Sequence, residues 1–228
     1  LFFYRPALPT PCRREGVRMH AENAAPTFQR MAKAMRAGVP QVGSYAAGFL
    51  CHLALDSACH GYINARAAMG PIEHIPMEAE LDRQLMERRG LTTQGCIYLP
   101  PIDDPAVFEA AATAFAVSGP EQLRKGYQGM QRATLFFAMG YGKRRGELVN
   151  WLFRHVPPCR GLDGVVLRRE PAPGSEESSR QILRRLLGVV PETARQVCCY
   201  LDAARTDAPV PVWLYRDFNG QRFQALTS

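Results

Sequence analysis

Residues 44–82 read SYAAGFLCHLALDSACHGYINARAAMGPIEHIPMEAELD and hold three of the chain's five histidines. His52, Asp56 and His60 follow one another at steps of four. On a helix of about 3.6 residues per turn, such steps keep all three within an arc of roughly 80°. They therefore point the same way from successive turns. His74, Glu78 and Asp82 repeat the spacing after a Gly70-Pro71 turn. One helical His–carboxylate pair is ordinarily a satisfied histidine or an exposed ion pair. Two such clusters in a histidine-poor chain point to metal, because imidazole and carboxylate are zinc ligands and an i,i+4 pair can share one ion. Four or more ligands from two helices exceed what one structural zinc needs. The surplus predicts a cluster with positions open to water and substrate.

The cysteines offer no rival site. Cys51 and Cys59 each precede a histidine by one residue, which turns them about 100° away from the ligand stripe, and no C-x-x-C occurs. Seven cysteines, an odd number scattered without framework spacing, predict reduced thiols and a cytoplasmic setting. The opening LFFYRPALPTP has no basic n-region and no small-residue cleavage site, so no signal peptide is expected there. The chain does not begin with Met, and the expectation is that an N-terminal segment is missing. No apolar run approaches the ~20 residues that span a bilayer.

Lys and Arg outnumber Asp and Glu by 28 to 21. Residues 1–120 balance at 11 of each, whereas residues 121–228 carry 17 basic and 10 acidic side chains. That uneven charge reads first as a soluble basic surface, with anionic lipid or nucleic acid as further partners.

Taken in order, the chain predicts an extended, proline-rich segment over 1–15, with Phe2, Phe3 and Tyr4 packing on the body. A helical pattern follows over 16–36, broken or started late at Pro26. The central helix spans about 44–68, and its small residues predict burial on most sides. A second helix begins near Ile75 with Pro76 in its first turn. There Glu80, Arg83 and Glu87 read as the solvated face, and Asp82 as a partner that orients a ligand histidine. After a loop over 90–103, helices are expected from Pro105, capped by Asp104, over 121–139 and over 143–156. The run KRR at 143–145 reads as a solvated corner, and His155, without a nearby carboxylate, lies outside the site. A surface loop over 157–179 leads to two further helices, about 177–187 and 191–205, and to an aromatic tail packing back on the body. With no strand–helix rhythm, the fold class is all-α: a single multi-helix bundle over 1–228 around a buried, metal-binding central helix.

HLALD followed by a histidine, then H-x-x-x-E-x-x-x-D, resembles the zinc-dependent phospholipase C family. The opening LFFYRP and the stretch GVRMHAE are similar to segments of the same family, so the resemblance covers about residues 1–90. It implies the all-helical fold shared with P1-type nucleases and a cluster of up to three Zn²⁺ ions. His52 and Asp56 match the family's H-x-x-x-D pair, with Asp56 bridging two metals. His60, His74 and Glu78 would serve the second zinc, and His20 matches an earlier histidine ligand. This chain departs from the pattern in its short Asp56–His60 interval and in the proline of HIPME. The family's N-terminal amine, a further histidine and the aspartate that is its candidate general base precede the first residue here. The implied activity is hydrolysis of a glycerophospholipid, at a membrane surface, to diacylglycerol and a phosphorylated headgroup. Nuclease-type phosphodiester hydrolysis and a non-catalytic, metal-stabilised helical protein are the alternatives.

Overall fold

A computed structural model describes residues 11–70, 72–92, 99–138, 142–157 and 166–224. Among them the fold is all-α. Eight helices follow in order: α1 (Pro11–Ala21), α2 (Ala25–Arg36), α3 (Val42–Ala68), α4 (His74–Arg88), α5 (Pro105–Ala112), α6 (Pro120–Ala138), α7 (Gly142–His155) and α8 (Glu176–Thr206). The one β contact among the described residues is an isolated bridge between Arg216 and Arg222. Among the described residues no helix is long and apolar enough to cross a membrane. The expected packing of Phe2, Phe3 and Tyr4 lies outside the described residues.

The chain divides into two compact units, Leu1–His60 with Pro100–Met130 and Gly188–Ser228, and Gly61–Leu99 with Gln131–Leu187. Three of the four divisions fall inside α3, α6 and α8, and the fourth between Leu99 and Pro100.

In the first unit, α2 buries Phe28, Met31 and Ala32 along one face. That face shares a core with Val42, Ala46, Leu50 and Leu53 of α3, Phe108 of α5, Tyr127 of α6 and Tyr200 of α8. The Tyr200 hydroxyl donates to the Phe28 carbonyl at 2.9 Å, which satisfies the one polar atom of a fully buried ring. Pro26 sits in the first turn of α2, where its missing N–H costs nothing. The helix break comes before it, at 22–24. Helix α1 starts at Pro11, earlier than its prolines suggested, for the same first-turn reason.

Asp104 caps α5 by accepting from Ala106 N at 2.9 Å, as its sequence predicts. Glu15 of α1 is buried and gathers a whole turn of chain. Its carboxylate accepts from the backbone N–H groups of Ala116, Val117 and Ser118 and from the Ser118 hydroxyl, at 2.5–2.9 Å.

Helix α3 corrects one expectation. It is buried along a stripe (Val42, Ala46, Leu50, Leu53, Ala54, Cys59, Ile63), while Ser44, Gly48, His52 and Gly61 are exposed. Its small residues do not all mark close helix contacts: a Cβ placed on Gly48 or Gly61 would meet open space.

The second unit corrects two more. Glu80 and Arg83 are buried, not solvated: two hydrogen bonds join them at 2.9 and 2.7 Å, and both residues are 3% exposed. The reason lies in the segment around 172, whose Ala172 N–H donates to Glu80 Oε2 at 3.0 Å and so ties part of the expected surface loop onto α4. Ser175, Ser178 and Ser179 of the same stretch are buried as well. Finally, 177–187 and 191–205 are one helix. Pro191 forfeits an i→i−4 bond, yet α8 continues through it. Its two halves are anchored by buried Ile182 on one side and by Tyr200 and Ala204 on the other.

Candidate metal centre

Helices α1 and α3 meet at a shared site in the first unit. One ligand atom from each of His20, His52 and Asp56 lies within 4.8 Å of the others. His52 Nε2 stands 2.9 Å from Asp56 Oδ2, and the same oxygen is 3.7 Å from His60 Nε2. The steps of four along α3 therefore do what their spacing predicts, and one carboxylate oxygen is flanked by two imidazoles.

His20 reaches the group from the last turn of α1. Its Nδ1 lies 2.7 Å from the carbonyl of Gly16, one turn earlier. A carbonyl can only accept, so that contact places the ring proton on Nδ1 and makes Nε2 the lone-pair nitrogen. Metal-ligating histidines are commonly oriented by such a bond to a backbone carbonyl.

The donor set fits a zinc ion. Two atoms each about 2.0–2.1 Å from zinc stand about 3.4 Å apart at the tetrahedral angle, so gathering these three takes shifts on the order of 1 Å. Two imidazoles and one carboxylate from two helices match the three-protein-ligand pattern that leaves a position for water. The site is also accessible: the side chains of His52 and Asp56 are 48% and 21% exposed. Asp56 is thus half-buried, less enclosed than the sequence suggested.

A wall of rings backs the two histidines. Phe218, from the C-terminal segment, lies with its centroid 4.8 Å from that of His20 and 4.9 Å from that of His52. Phe49, one turn before His52 on α3, contacts Phe218 at 5.7 Å and His52 at 6.2 Å.

In the second unit, His74 opens α4, with Glu73 as N-cap and Pro76 inside the first turn. The proline does not spoil the alignment, and His74 Nε2 meets Glu78 Oε1 at 3.1 Å. The other ring nitrogen, Nδ1, is 2.9 Å from Asn64 Oδ1. Asn64 thus takes the orienting place expected of Asp82. Asp82 stands on the exposed side of α4. Desolvation, and then the Glu78 carboxylate, push its own carboxyl above the usual range.

Two residues that hold the histidines were not read from the sequence. Asn64 carried a signal, since it extends the row His52–Asp56–His60 by one more step of four. Phe218 belongs to the aromatic tail expected to pack back on the body, but its contact with the two rings, both distant in the chain, carried no signal. Of the helical cysteines, Cys59 is buried, Cys51 half-buried, and Cys198 and Cys199 are exposed on α8. His155 lies apart, its ring stacked on Trp151 at 4.7 Å and its Nδ1 bonded to the Trp151 carbonyl.

No protein-family model, no curated protein and no solved structure matches this chain.

Proposed function

We propose that the chain is a zinc-dependent phosphodiester hydrolase whose substrate is a glycerophospholipid. The observation that carries this reading is the arrival of His20, from a separate helix, beside the i,i+4 pair His52 and Asp56. A His–carboxylate pair alone would read as an ion pair. A third donor, fixed in tautomer by its own backbone bond, is what a metal requires. The phospholipid comes from the HLALD and H-x-x-x-E motifs and their resemblance to the zinc-dependent phospholipases C.

Bound zinc would supply Lewis acidity and a water whose pKa is lowered to about 7. The chain's own residues have separate tasks. His20 and His52 offer neutral imidazole nitrogens, and Asp56 offers the carboxylate that neutralises part of the cation's charge. On the family pattern His74 and Glu78 serve a further ion, and Asn64 holds the His74 ring in the orientation that aims Nε2 at Glu78. The exposure of His52 leaves the site open to a large, surface-borne substrate.

A second reading has its own observation. The direct 2.9 Å contact of His52 with Asp56 is also the geometry of a metal-free ion pair. Zinc-loaded chain is to be assayed on choline phospholipid vesicles and on single-stranded DNA. Release of phosphorylated headgroup, abolished by chelation and restored by zinc, is expected. Cleavage of the nucleic acid alone would move the reading to a nuclease. Activity on neither substrate would leave a metal-stabilised or metal-free helical protein.

A further inference from the structure

The C-terminal segment 216–223 converges on the two helices that carry His20 and His52 through three contacts, and a fourth ties it to Ala24, the N-cap of α2. The Arg216 carbonyl accepts from Ala24 N, just beyond α1, at 2.9 Å. Asn219 Nδ2 donates to the His20 carbonyl at 3.2 Å. Phe218 lays its ring against both imidazoles. Gly220 passes so close to α3 that a Cβ there would lie 2.7 Å from the Ser57 carbonyl oxygen, and its φ of +83° is one that glycine adopts without strain.

The segment is built to hold that shape. Buried Asp217 accepts from Asn219 N at 2.9 Å and from Gln221 N at 2.8 Å, closing the turn. Asp217 N donates to the Gln221 carbonyl at 3.0 Å, and Phe223 N to the Tyr215 carbonyl at 2.8 Å. The outcome is a rigid loop with Phe218 (2% exposed) at its inward point.

We propose that residues 216–223 form a clasp that sets His20 against His52, that Phe218 is a positioning residue of the zinc site, and that zinc occupancy and docking of the clasp are linked. This rests on the metal reading above. The physical argument is direct. The donors must come within roughly 1 Å of tetrahedral spacing, and His20 and His52 stand on different helices. The ring that touches both is Phe218, and the same loop bonds to the backbone of α1 and presses on that of α3. Removing the ring takes away the packing the two imidazoles share, so that their mutual placement rests on the separate contacts each makes with its own helix, His20 with the Gly16 carbonyl and His52 with Asp56. Linkage is reciprocal: whatever factor the docked clasp adds to zinc affinity, zinc adds to docking of the clasp.

The test compares Phe218→Leu with Phe108→Leu, the same chemical change at another buried position of the first unit. Zinc affinity is read by competition with a chromophoric chelator. Trypsin cleavage after Arg216 and Arg222 is read with and without zinc. Imidazole ring NMR shifts of His20 and His52 are read in the metal-free chain, with His155 as internal reference. Phe218→Leu is expected to weaken zinc binding by at least about tenfold, the lower end for loss of a group that orients a ligand. It should also move the His20 and His52 shifts while leaving His155 in place. Zinc is expected to slow cleavage at both arginines in the unaltered chain and to do so less in Phe218→Leu. Phe108→Leu is expected to lower thermal stability without either effect. Equal effects of the two variants on zinc affinity and ring shifts would overturn the proposal. If the unaltered chain takes up no zinc, the metal reading fails, and with it the linkage; the ring shifts then decide the positioning role alone.

Discussion

Arg83 binds Glu80 through two hydrogen bonds, Nε to Oε2 at 2.9 Å and Nη2 to Oε1 at 2.7 Å, with the two side chains 4% and 1% exposed. Arg83 Nη1 also reaches the exposed Glu87, and Glu80 accepts from Ala172 N and Gln84. A buried ion pair costs both partners their hydration, and breaking it from one side leaves the other charge stranded. Glu80→Ala is therefore expected to destabilise the protein by about 3–5 kcal/mol. The double variant Glu80→Leu/Arg83→Met should recover most of that loss. Chemical denaturation of Glu80→Ala, of Glu80→Leu and Arg83→Met singly, and of the double variant checks this; losses of the two latter singles that add in the double would contradict it.

Glu15 gives a pH-dependent expectation. Burial pushes its carboxyl pKa up, but the Ser118 hydroxyl and the N–H groups of Val117, Ala116 and Ser118 outweigh that and hold it below the ordinary 4.5. A carboxylate whose folded pKa is depressed contributes stability above its unfolded pKa and loses it as pH falls through the folded value. Glu15→Gln should cost about 2 kcal/mol at pH 7, from loss of charge-assisted hydrogen bonds. The difference from the unaltered chain should shrink below pH 4.5 and vanish under strongly acid conditions. Thermal melts of both proteins across that range are the measurement. A difference that stays constant with pH would show that the loss is one of packing.

Much of this could be read in advance, because it is local. The i,i+4 contacts of His52 with Asp56 and of His74 with Glu78 follow from helix geometry. Asp104 caps α5 because a side-chain oxygen two residues before a free N–H finds it. The errors share a different origin. Glu80 and Arg83 have the composition of a solvated face, and only the return of the chain at Ala172, 92 residues after Glu80, covers them. Pro191 is a helix breaker by local rules, overridden by burial on both sides of it. Phe218 reaches His20 across almost the whole sequence, and nothing in its neighbours announces that contact. Composition likewise could not tell that Gly48 and Gly61 face open space.

His74 separates two candidate orienting residues. Asn64→Ala removes the acceptor on Nδ1, and its expected effect is a change in the His74 ring resonances and a tenfold or greater weakening of any metal held by that ring. Asp82→Asn should leave both unchanged. Because the folded pKa of Asp82 is raised, its charged form is disfavoured in the fold; that penalty is full above the folded pKa, shrinks as pH falls below it, and is gone only below the unfolded pKa. Asp82→Asn is accordingly expected to be neutral or slightly stabilising at pH 7. A loss of metal in Asp82→Asn with none in Asn64→Ala would reverse the assignment.

His52 and its neighbours are proposed to hold zinc. Elemental analysis of bound zinc per chain, on the purified protein and on His52→Ala and His74→Ala, tests it most directly. Two or more zinc ions per chain are expected in the unaltered protein and fewer in each variant. An unaltered chain that binds no zinc, or a content unchanged by both substitutions, would contradict it.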